Sequence, residues 1–226
     1  RERERLLPEL TPLEDCIALA VAQGEDPSLE RVIIADVADN PGGGGRGNTA
    51  WLLKGLYEAG AKGAVLGVFF DVPLVAEAHE KGVGKTFRAR FNRAETDQYS
   101  ESFEADAEVL HVSDGQIIGR DPGSRAGMAV DLGPTAVLRI GTVTVVAISI
   151  RQQCIDPGYF EAFGIDVKGA RTTIVKSRGH FRAGFSVYFS SDQVIECDAP
   201  GLTSPNLENF DWQGFKRPIY PLDMKT

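Results

Sequence analysis

A short apolar run that ends in two acids and a glycine-rich loop constrains this chain more than any other segment. Residues 32–35 read Val-Ile-Ile-Ala, Asp36 and Asp39 follow, and five glycines lie between residues 42 and 47. Residues 50–57 then carry apolar side chains at helical spacing. We therefore expect a strand, a glycine loop and a helix, with Asn48 or Thr49 as the helix N-cap.

Such a loop can turn its backbone N–H groups towards a ligand, because glycine lacks a Cβ and tolerates positive φ. Together with the helix N-terminus, those amides would favour an anion, a carboxylate or an oxyanion. The candidate substrate contacts here are Asp39, Asn40, Gly42, Gly43 and Gly44. The alternative is a surface loop that only joins a strand to a helix.

The loop differs from both common nucleotide-binding loops. A P-loop requires Gly-Lys-Ser or Gly-Lys-Thr, and residues 46–48 read Arg-Gly-Asn instead. Glycines 42, 44 and 47 fit the spacing of the dinucleotide loop. However, the acid expected about 20 residues later on a second strand is missing.

The rest of the chain predicts an α/β fold with a mixed sheet, made of a parallel β-α-β-α part and an antiparallel hairpin part. Residues 64–70 are continuously apolar, as in a strand buried on both faces, and residues 74–81 form a helical pattern. Alternating residues at 86–91 and 103–110 indicate half-buried antiparallel strands. A Gly-Thr pair in the middle of residues 136–148 predicts a two-residue hairpin.

Polar side chains also follow a second apolar strand, predicted at residues 172–175. Because parallel strands end at one edge of a sheet, this segment and the glycine loop can share one crevice. Lys176 and His180 are therefore candidate catalytic residues, and Ser177 and Arg182 are candidate substrate contacts. The alternative interpretation is solvated charges and a histidine that caps a helix.

Beyond this segment, residues 183–189 are expected to be helical and residues 194–197 to form one more strand. Residues 1–24 have charged residues ahead of a helical pattern. We interpret them as a connecting helix that buries little against this chain.

Composition excludes several classes of protein. The 226 residues carry a formal charge of −8 with 42% hydrophobic residues, which indicates a globular chain without the basic face of a nucleic-acid-binding protein. No apolar run approaches the ~20 residues that span a bilayer, and the charged start is not a signal peptide. Cys16, Cys154 and Cys197 are odd in number and far apart, which favours a reduced, cytoplasmic protein. A nucleophilic cysteine is the less favoured alternative.

Metal and triad chemistry receive little support from the spacing of residues. His79, His111 and His180 lack the spacing of a zinc site, so we expect no metal bound by this chain. Ser177, His180 and Asp39 could be drawn as a triad, but no nucleophile elbow of the Gly-x-Ser-x-Gly kind is present.

Five segments, taken in order, resemble the C-terminal region of the MlrC (microcystinase C)-like metallopeptidases. They are residues 34–44, residues 130–136, residues 175–177 with 180–183, residues 198–205 and residues 217–223. The similarity extends from about residue 10 onwards. After Gly44 the chain departs from the family, which often has Ala-Pro-Gly-Asp-Gly-Thr where residues 45–49 read Gly-Arg-Gly-Asn-Thr.

This resemblance implies a two-domain, zinc-dependent peptide or amide hydrolase, of a family known for attacking linearised microcystin. Its zinc ligands lie in the N-terminal domain, so none is assigned to this chain. Residues 1–24 would then connect to that domain, and residues 25–226 would form the MlrC-like C-terminal α/β domain. The expected partners are the chain's own N-terminal catalytic domain and a peptide or amide substrate, and a homo-oligomer is left open.

On this interpretation we expect the isolated chain to be inactive and to contribute substrate contacts. The rival from another class is a non-catalytic anion-binding or small-molecule-binding module that uses the glycine loop. A purely structural or dimerisation domain is the third alternative, and it would leave the loop without a ligand.

Overall fold

The structure, a computed structural model, describes residues 7–93, 96–120 and 125–223, so the charged residues 1–5 lie outside the described part. The strands are β1 (Thr11–Pro12), β2 (Val32–Asp36), β3 (Ala64–Phe70), β4 (Thr86–Phe91), β5 (Phe103–Ser113), β6 (Gln116–Ile118), β7 (Ala129–Asp131), β8 (Thr135–Ile140), β9 (Val143–Ile148), β10 (Thr172–Val175) and β11 (Val194–Asp198). The α-helices are α1 (Leu13–Glu25), α2 (Trp51–Glu58), α3 (Val72–Lys81), α4 (Gly158–Glu161) and α5 (Phe181–Phe185).

Nine strands form one mixed sheet in the order β1-β11-β2-β10-β3-β9-β8-β5-β4. The first six strands in this order are parallel to one another, and β9, β8, β5 and β4 pair antiparallel. Strands β6 and β7 form a separate antiparallel pair. The mixed sheet with a parallel part and a hairpin part is therefore confirmed.

The two halves of the sheet differ in burial, as their sequence periods predict. Every residue of β2 is buried, and β3 is buried except at its last residue, because helices cover both faces of the parallel part. In β4 buried and exposed residues alternate strictly, so its charged side chains face solvent. The turn at Gly141-Thr142 joins β8 to β9, which pair from Ile140 opposite Val143 onwards.

Side chains from opposite faces of the sheet enter two separate cores. On one face, α1, α2 and α3 pack against residues such as Ile34 and Leu66. On the other face, α4, α5 and the β6–β7 pair cover residues such as Ile33 and Val65. A Cβ at Gly67 would lie 2.7 Å from the Phe160 ring, so glycine here allows α4 to approach β3 closely.

The N-terminal helix contributes more to this core than the sequence suggested. Cys16 and Ala20 of α1 have no exposed surface, and β1 pairs with β11 at the edge of the sheet. The expectation that this helix buries little was wrong, because its inward side chains pack against α2 and the sheet. Whether residues 1–24 form a connection to another domain stays a prediction.

The helix predicted at residues 183–189 was misplaced, because α5 begins at Phe181 and ends at Phe185. Phe181 and Phe185 pack into the core, with ring centroids 6.3 Å apart, and this packing fixes the helix position. None of the helices in the described part of the chain is long and apolar enough to cross a membrane.

Candidate functional site

The carboxyl ends of four adjacent parallel strands define the candidate site. In sheet order these strands are β2, β10, β3 and β9. The glycine loop follows β2, the Lys176 segment follows β10, and residues 149–154 follow β9. Val175 pairs with both Ala35 and Gly67, so the two polar segments lie side by side, as the sequence predicted.

Lys176 joins the ends of β2 and β10 from inside the protein. Its Nζ donates to Asp36 Oδ2 and Asp39 Oδ2, both at 2.8 Å, and to the carbonyl oxygen of Thr49 at 2.9 Å. Lys176 has no exposed surface. Burial alone would lower the pKa of Lys176, but the two carboxylates outweigh this effect and raise it. The ammonium group therefore stays charged and holds the loop in place.

Burial acts in the same direction on the two acids beside Lys176, but the net shift of the pKa differs between them. Burial alone would raise the pKa of Asp39, but Lys176 and the amides of Thr49 and Gly47 hold it below its usual value. For Asp36, burial outweighs the attraction of Lys176 and raises the pKa. Asp36 Oδ1 is buried and has no hydrogen-bond partner among the described residues, which agrees with a carboxyl group that is hard to ionise.

The glycine loop uses its amides internally. Gly43 and Gly45 donate to the carbonyl oxygen of Asn40, both at 2.9 Å, and Gly44 donates to that of Pro41 at 3.2 Å. Gly42 donates to Asn40 Oδ1 at 3.0 Å. The expectation that these amides face a ligand is therefore wrong for Gly42 to Gly45, because turning back into the loop satisfies each of them.

The residues after the glycines tie the loop to its surroundings rather than capping the helix. Thr49 Oγ1 donates to Asp39 Oδ2 at 3.0 Å, and Asn48 Nδ2 donates to Asn92 Oδ1 at 2.9 Å. The N-cap of α2 is Ala50, which has no side chain that can cap. The predicted N-cap at Asn48 or Thr49 was wrong. The Thr49 hydroxyl bonds to Asp39, and the Asn48 amide bonds to Asn92 instead.

Residues from the C-terminal segment clamp the same loop from the other side. Thr203 Oγ1 accepts from the amide of Asn40 at 3.0 Å and donates to the carbonyl oxygen of Val37 at 3.1 Å. A Cβ at Gly201 would lie 2.2 Å from the carbonyl oxygen of Ala38, so only glycine permits this approach. The resemblance segment at residues 198–205 therefore supports the loop.

A polar cluster at the surface of this edge brings three predicted residues together. Gln153 Nε2 donates to Ser177 Oγ at 2.9 Å, and Gln153 Oε1 lies 3.0 Å from His180 Nδ1. A Cβ at Gly42 would lie 2.3 Å from Gln153 Oε1. Gly42 and His180 are exposed, whereas Ser177 is buried below them. We call these four residues the Gln153 cluster.

Gln153 was missed by the sequence reasoning. It lies in an irregular segment after β9, and only the position of that strand beside β3 could have indicated it. Arg182 lies outside the cluster, since its Nη2 donates to Glu196 Oε1 of β11 at 2.7 Å.

The exposed predicted residues, Gly42 to Gly44 and His180, lie on an open surface rather than in the expected crevice, whereas Asp39 lines a small cavity of about 10 Å³. Two grooves, of about 440 and about 640 Å³, lie beside the end of β11, and none of the predicted site residues lines them. A closed site would therefore need a second surface above the strand ends.

The described residues offer neither a metal-binding group nor a reactive thiol. Across residues 7–93, 96–120 and 125–223, no three His, Cys, Asp or Glu side chains come together as a metal-binding group. Cys16, Cys154 and Cys197 are free and fully buried. Burial raises the pKa of the Cys154 thiol, which disfavours the thiolate that a nucleophile needs.

The chain is similar to one protein family, to a curated protein and to a solved structure. Residues 34–214 match the family described as MlrC C-terminus. Microcystinase C of Sphingomonas sp. is 25% identical over 168 residues, which are 72% of this chain and 32% of that protein. A crystal structure from Mesorhizobium sp. BNC1, provisionally named a metallopeptidase, superposes with a TM-score of 0.80 at 24% identity and shows the same fold.

The extent of these matches differs between the chain and its relatives. The Mesorhizobium structure covers 98% of this chain, but this chain covers only 42% of that structure. The chain thus spans about a third of one relative and about two fifths of the other. Because the family match covers most of the sequence, the chain belongs to the MlrC C-terminus family.

Proposed function

We propose that this chain is the substrate-contacting, C-terminal part of a zinc-dependent peptide or amide hydrolase. The described residues supply no zinc site, and the proposal assigns the zinc ligands to an N-terminal domain, as the family resemblance implies. The name of the Sphingomonas relative supports a hydrolase, and the part of it that this chain leaves uncovered is long enough for a further domain.

The observation that carries the proposal is the Gln153 cluster at the carboxyl ends of the parallel strands. Ligands of open α/β sheets bind at this edge. His180 is exposed there, and Gln153 lies between it and the exposed Gly42. The exposed Gly42, Gly43 and Gly44 lack side chains and let an extended peptide approach closely. The open surface would become a site when the metal-binding domain covers it.

His180 is the proposed proton-transfer group. In the neutral imidazole, one ring nitrogen can accept a proton from the attacking water and then deliver that proton to the departing amine nitrogen. The imidazole is thereby regenerated in each cycle. Zinc, when bound by the other domain, would polarise the carbonyl of the scissile bond.

The remaining predicted residues take supporting roles in this proposal. Lys176, Asp39 and Asn40 hold the glycine loop in its position below the substrate. Ser177 anchors Gln153 from below. Arg182, whose side chain is 43% exposed, would attract a substrate carboxylate at the rim, in competition with Glu196.

The test requires a protein that carries this chain together with the N-terminal domain. His180→Ala should lower kcat for a peptide substrate by about 10²-fold or more, without loss of zinc. His79→Ala is the matched control, because His79 is also exposed and hydrogen-bonded but lies on α3. Full activity of His180→Ala, or loss of zinc from it, would contradict the proposal.

The isolated chain provides a second test. It should neither retain stoichiometric zinc nor cleave peptides, because a catalytic zinc site generally needs three protein ligands. One zinc per chain that His180→Ala abolishes would place the metal site here instead. A cytoplasmic location also belongs to the proposal, and cell fractionation measures it.

The rival function, an anion-binding module, depends on free amides in the glycine loop. The amides of Gly42 to Gly45 already donate within the loop, which weighs against it. Calorimetric titration of the isolated chain with phosphate and acetate would detect such binding.

A further inference from the structure

The contacts of His180 differ between its two ring nitrogens. Nδ1 lies 3.0 Å from Gln153 Oε1. Nε2 makes no hydrogen bond to any residue in the described ranges. In this orientation of the Gln153 amide a carbonyl oxygen faces the ring, and because a carbonyl oxygen only accepts hydrogen bonds, the contact places the proton on Nδ1. The lone pair then remains on Nε2, on the opposite side of the ring.

Gln153 is itself held on two sides. Its amide nitrogen donates to Ser177 Oγ at 2.9 Å, and Ser177 is fully buried at the end of β10. Because Gly42 has no side chain, there is room beside it for the Gln153 side-chain carbonyl. A Cβ at position 42 would lie 2.3 Å from Gln153 Oε1. The carbonyl of Gln153 is thereby directed at the histidine.

We propose that Gln153 is a positioning residue that holds His180 in the Nδ1–H form, so that Nε2 is the atom that exchanges protons with the substrate. The proposal rests on the proposed function for the identity of the substrate. The hydrogen-bonded arrangement of Ser177, Gln153 and His180 stands without it. Gly42 contributes to the same arrangement, because its missing side chain leaves room for the side chain of Gln153.

The tautomer can be read directly in this chain by NMR after labelling with ¹⁵N-histidine. Two-bond ¹H–¹⁵N correlations distinguish Nδ1–H from Nε2–H, and His180→Asn identifies which of the three histidine patterns belongs to His180. We expect the Nδ1–H pattern at a pH high enough for the His180 ring to be neutral. An Nε2–H pattern in the wild-type chain would overturn the proposal.

Variants of Gln153 separate positioning from simple packing. Gln153→Leu removes the acceptor and should shift the tautomer ratio towards Nε2–H by about fivefold, the worth of one hydrogen bond. Gln153→Glu keeps an acceptor oxygen at this position, so His180 should remain in the Nδ1–H form. Gln152→Leu is the matched control, because the Gln152 amide contacts Asp131 and Arg125 instead of His180.

A second pair of variants tests the glycine. Gly42→Ala should displace Gln153 and change the ratio as Gln153→Leu does. Gly43→Ala should leave it unchanged, since the nearest side-chain atom to its Cβ is Asn40 Nδ2 at 3.3 Å. Equal ratios in all variants, with unchanged melting temperatures, would show that Gln153 does not set the tautomer. Because no substrate is present, that result would leave the proposed hydrolase function to its own assay.

Discussion

Replacing Lys176 by methionine tests whether the buried ion pairs hold the ends of β2 and β10 together. Nζ lies 2.8 Å from a carboxylate oxygen of Asp36 and of Asp39, and the side chain is only 1% exposed. Methionine keeps similar bulk but leaves two buried carboxyl groups without a cation. Removing one partner of a buried pair costs about 3–5 kcal/mol, a large part of the ~5–15 kcal/mol by which a typical domain is stable.

Urea unfolding followed by tryptophan fluorescence measures this loss. With an unfolding slope of about 3 kcal/mol per molar urea, the midpoint of Lys176→Met should fall by about 1–2 M. Lys54→Met is the matched control, because Lys54 Nζ lies 3.2 Å from Glu101 Oε1 but the side chains are 36% and 27% exposed. Such a pair contributes about 0–1 kcal/mol. Equal losses in the two variants would refute the reasoning.

The pH dependence gives an independent check on the cause. In the wild-type chain the lowered pKa of Asp39 adds stability above its unfolded value near 3.8, and this stability is lost as the pH falls through the folded value. Without Lys176, burial makes both acids favour their protonated forms, so the deficit of Lys176→Met should shrink towards acid pH. A deficit that stays constant from about pH 7 to 4 would assign the loss to packing instead.

Tyr159→Phe should flatten the alkaline limb of the stability curve. Burial raises the pKa of Tyr159 to about 12, so as the pH rises the unfolded chain loses the phenol proton before the folded chain does. The free energy of unfolding therefore falls between pH 10.0 and about 12, and urea midpoints across that range measure the fall. Gly45→Ala should lower the free energy of unfolding by more than about 1 kcal/mol, because its Cβ would lie 2.7 Å from the backbone nitrogen of Asn40. Gly43→Ala should change the free energy of unfolding by no more than about 0.5 kcal/mol. Equal thermal shifts in these two variants would contradict the loop geometry. Thr203→Val should cost about 1–3 kcal/mol through the amide of Asn40 that it leaves unpaired, and an unchanged melting temperature would exclude this clamp.

Much of the fold could be predicted from the periodicity of apolar residues. A strand buried on one face alternates apolar and polar residues, whereas a strand buried on both faces is continuously apolar. The alternation in residues 86–91 predicted a half-exposed strand, and the continuous run at residues 64–70 predicted a covered one. The burial of the helix at residues 13–25 was underestimated, because the interpretation followed the charged residues ahead of the helix. Within the helix only Glu14, Asp15 and Glu25 are charged, and Cys16 and Ala20 are buried.

The site was predictable to the level of segments but not of contacts. Strand order follows from long-range pairing, so nothing local showed that Lys176 would lie beneath the loop rather than on its surface. The glycines indicated a tight turn correctly. Whether their amides face a ligand or the loop depends on the neighbouring Asn40, which composition alone does not decide.

The placement of β10 between β2 and β3 has a consequence for how the chain folds. Residues 172–175 form an inner strand of the parallel part, and two strands from the first third of the sequence pair with it. During synthesis, residues 32–36 and 64–70 therefore have no common partner until more than a hundred further residues have emerged. Long-range closure of this kind slows folding and leaves apolar strand edges exposed to other chains in the meantime. The loop that β2 carries gains its cation late, since Lys176 follows β10 in the sequence, so the candidate site is completed only when the last third of the chain docks.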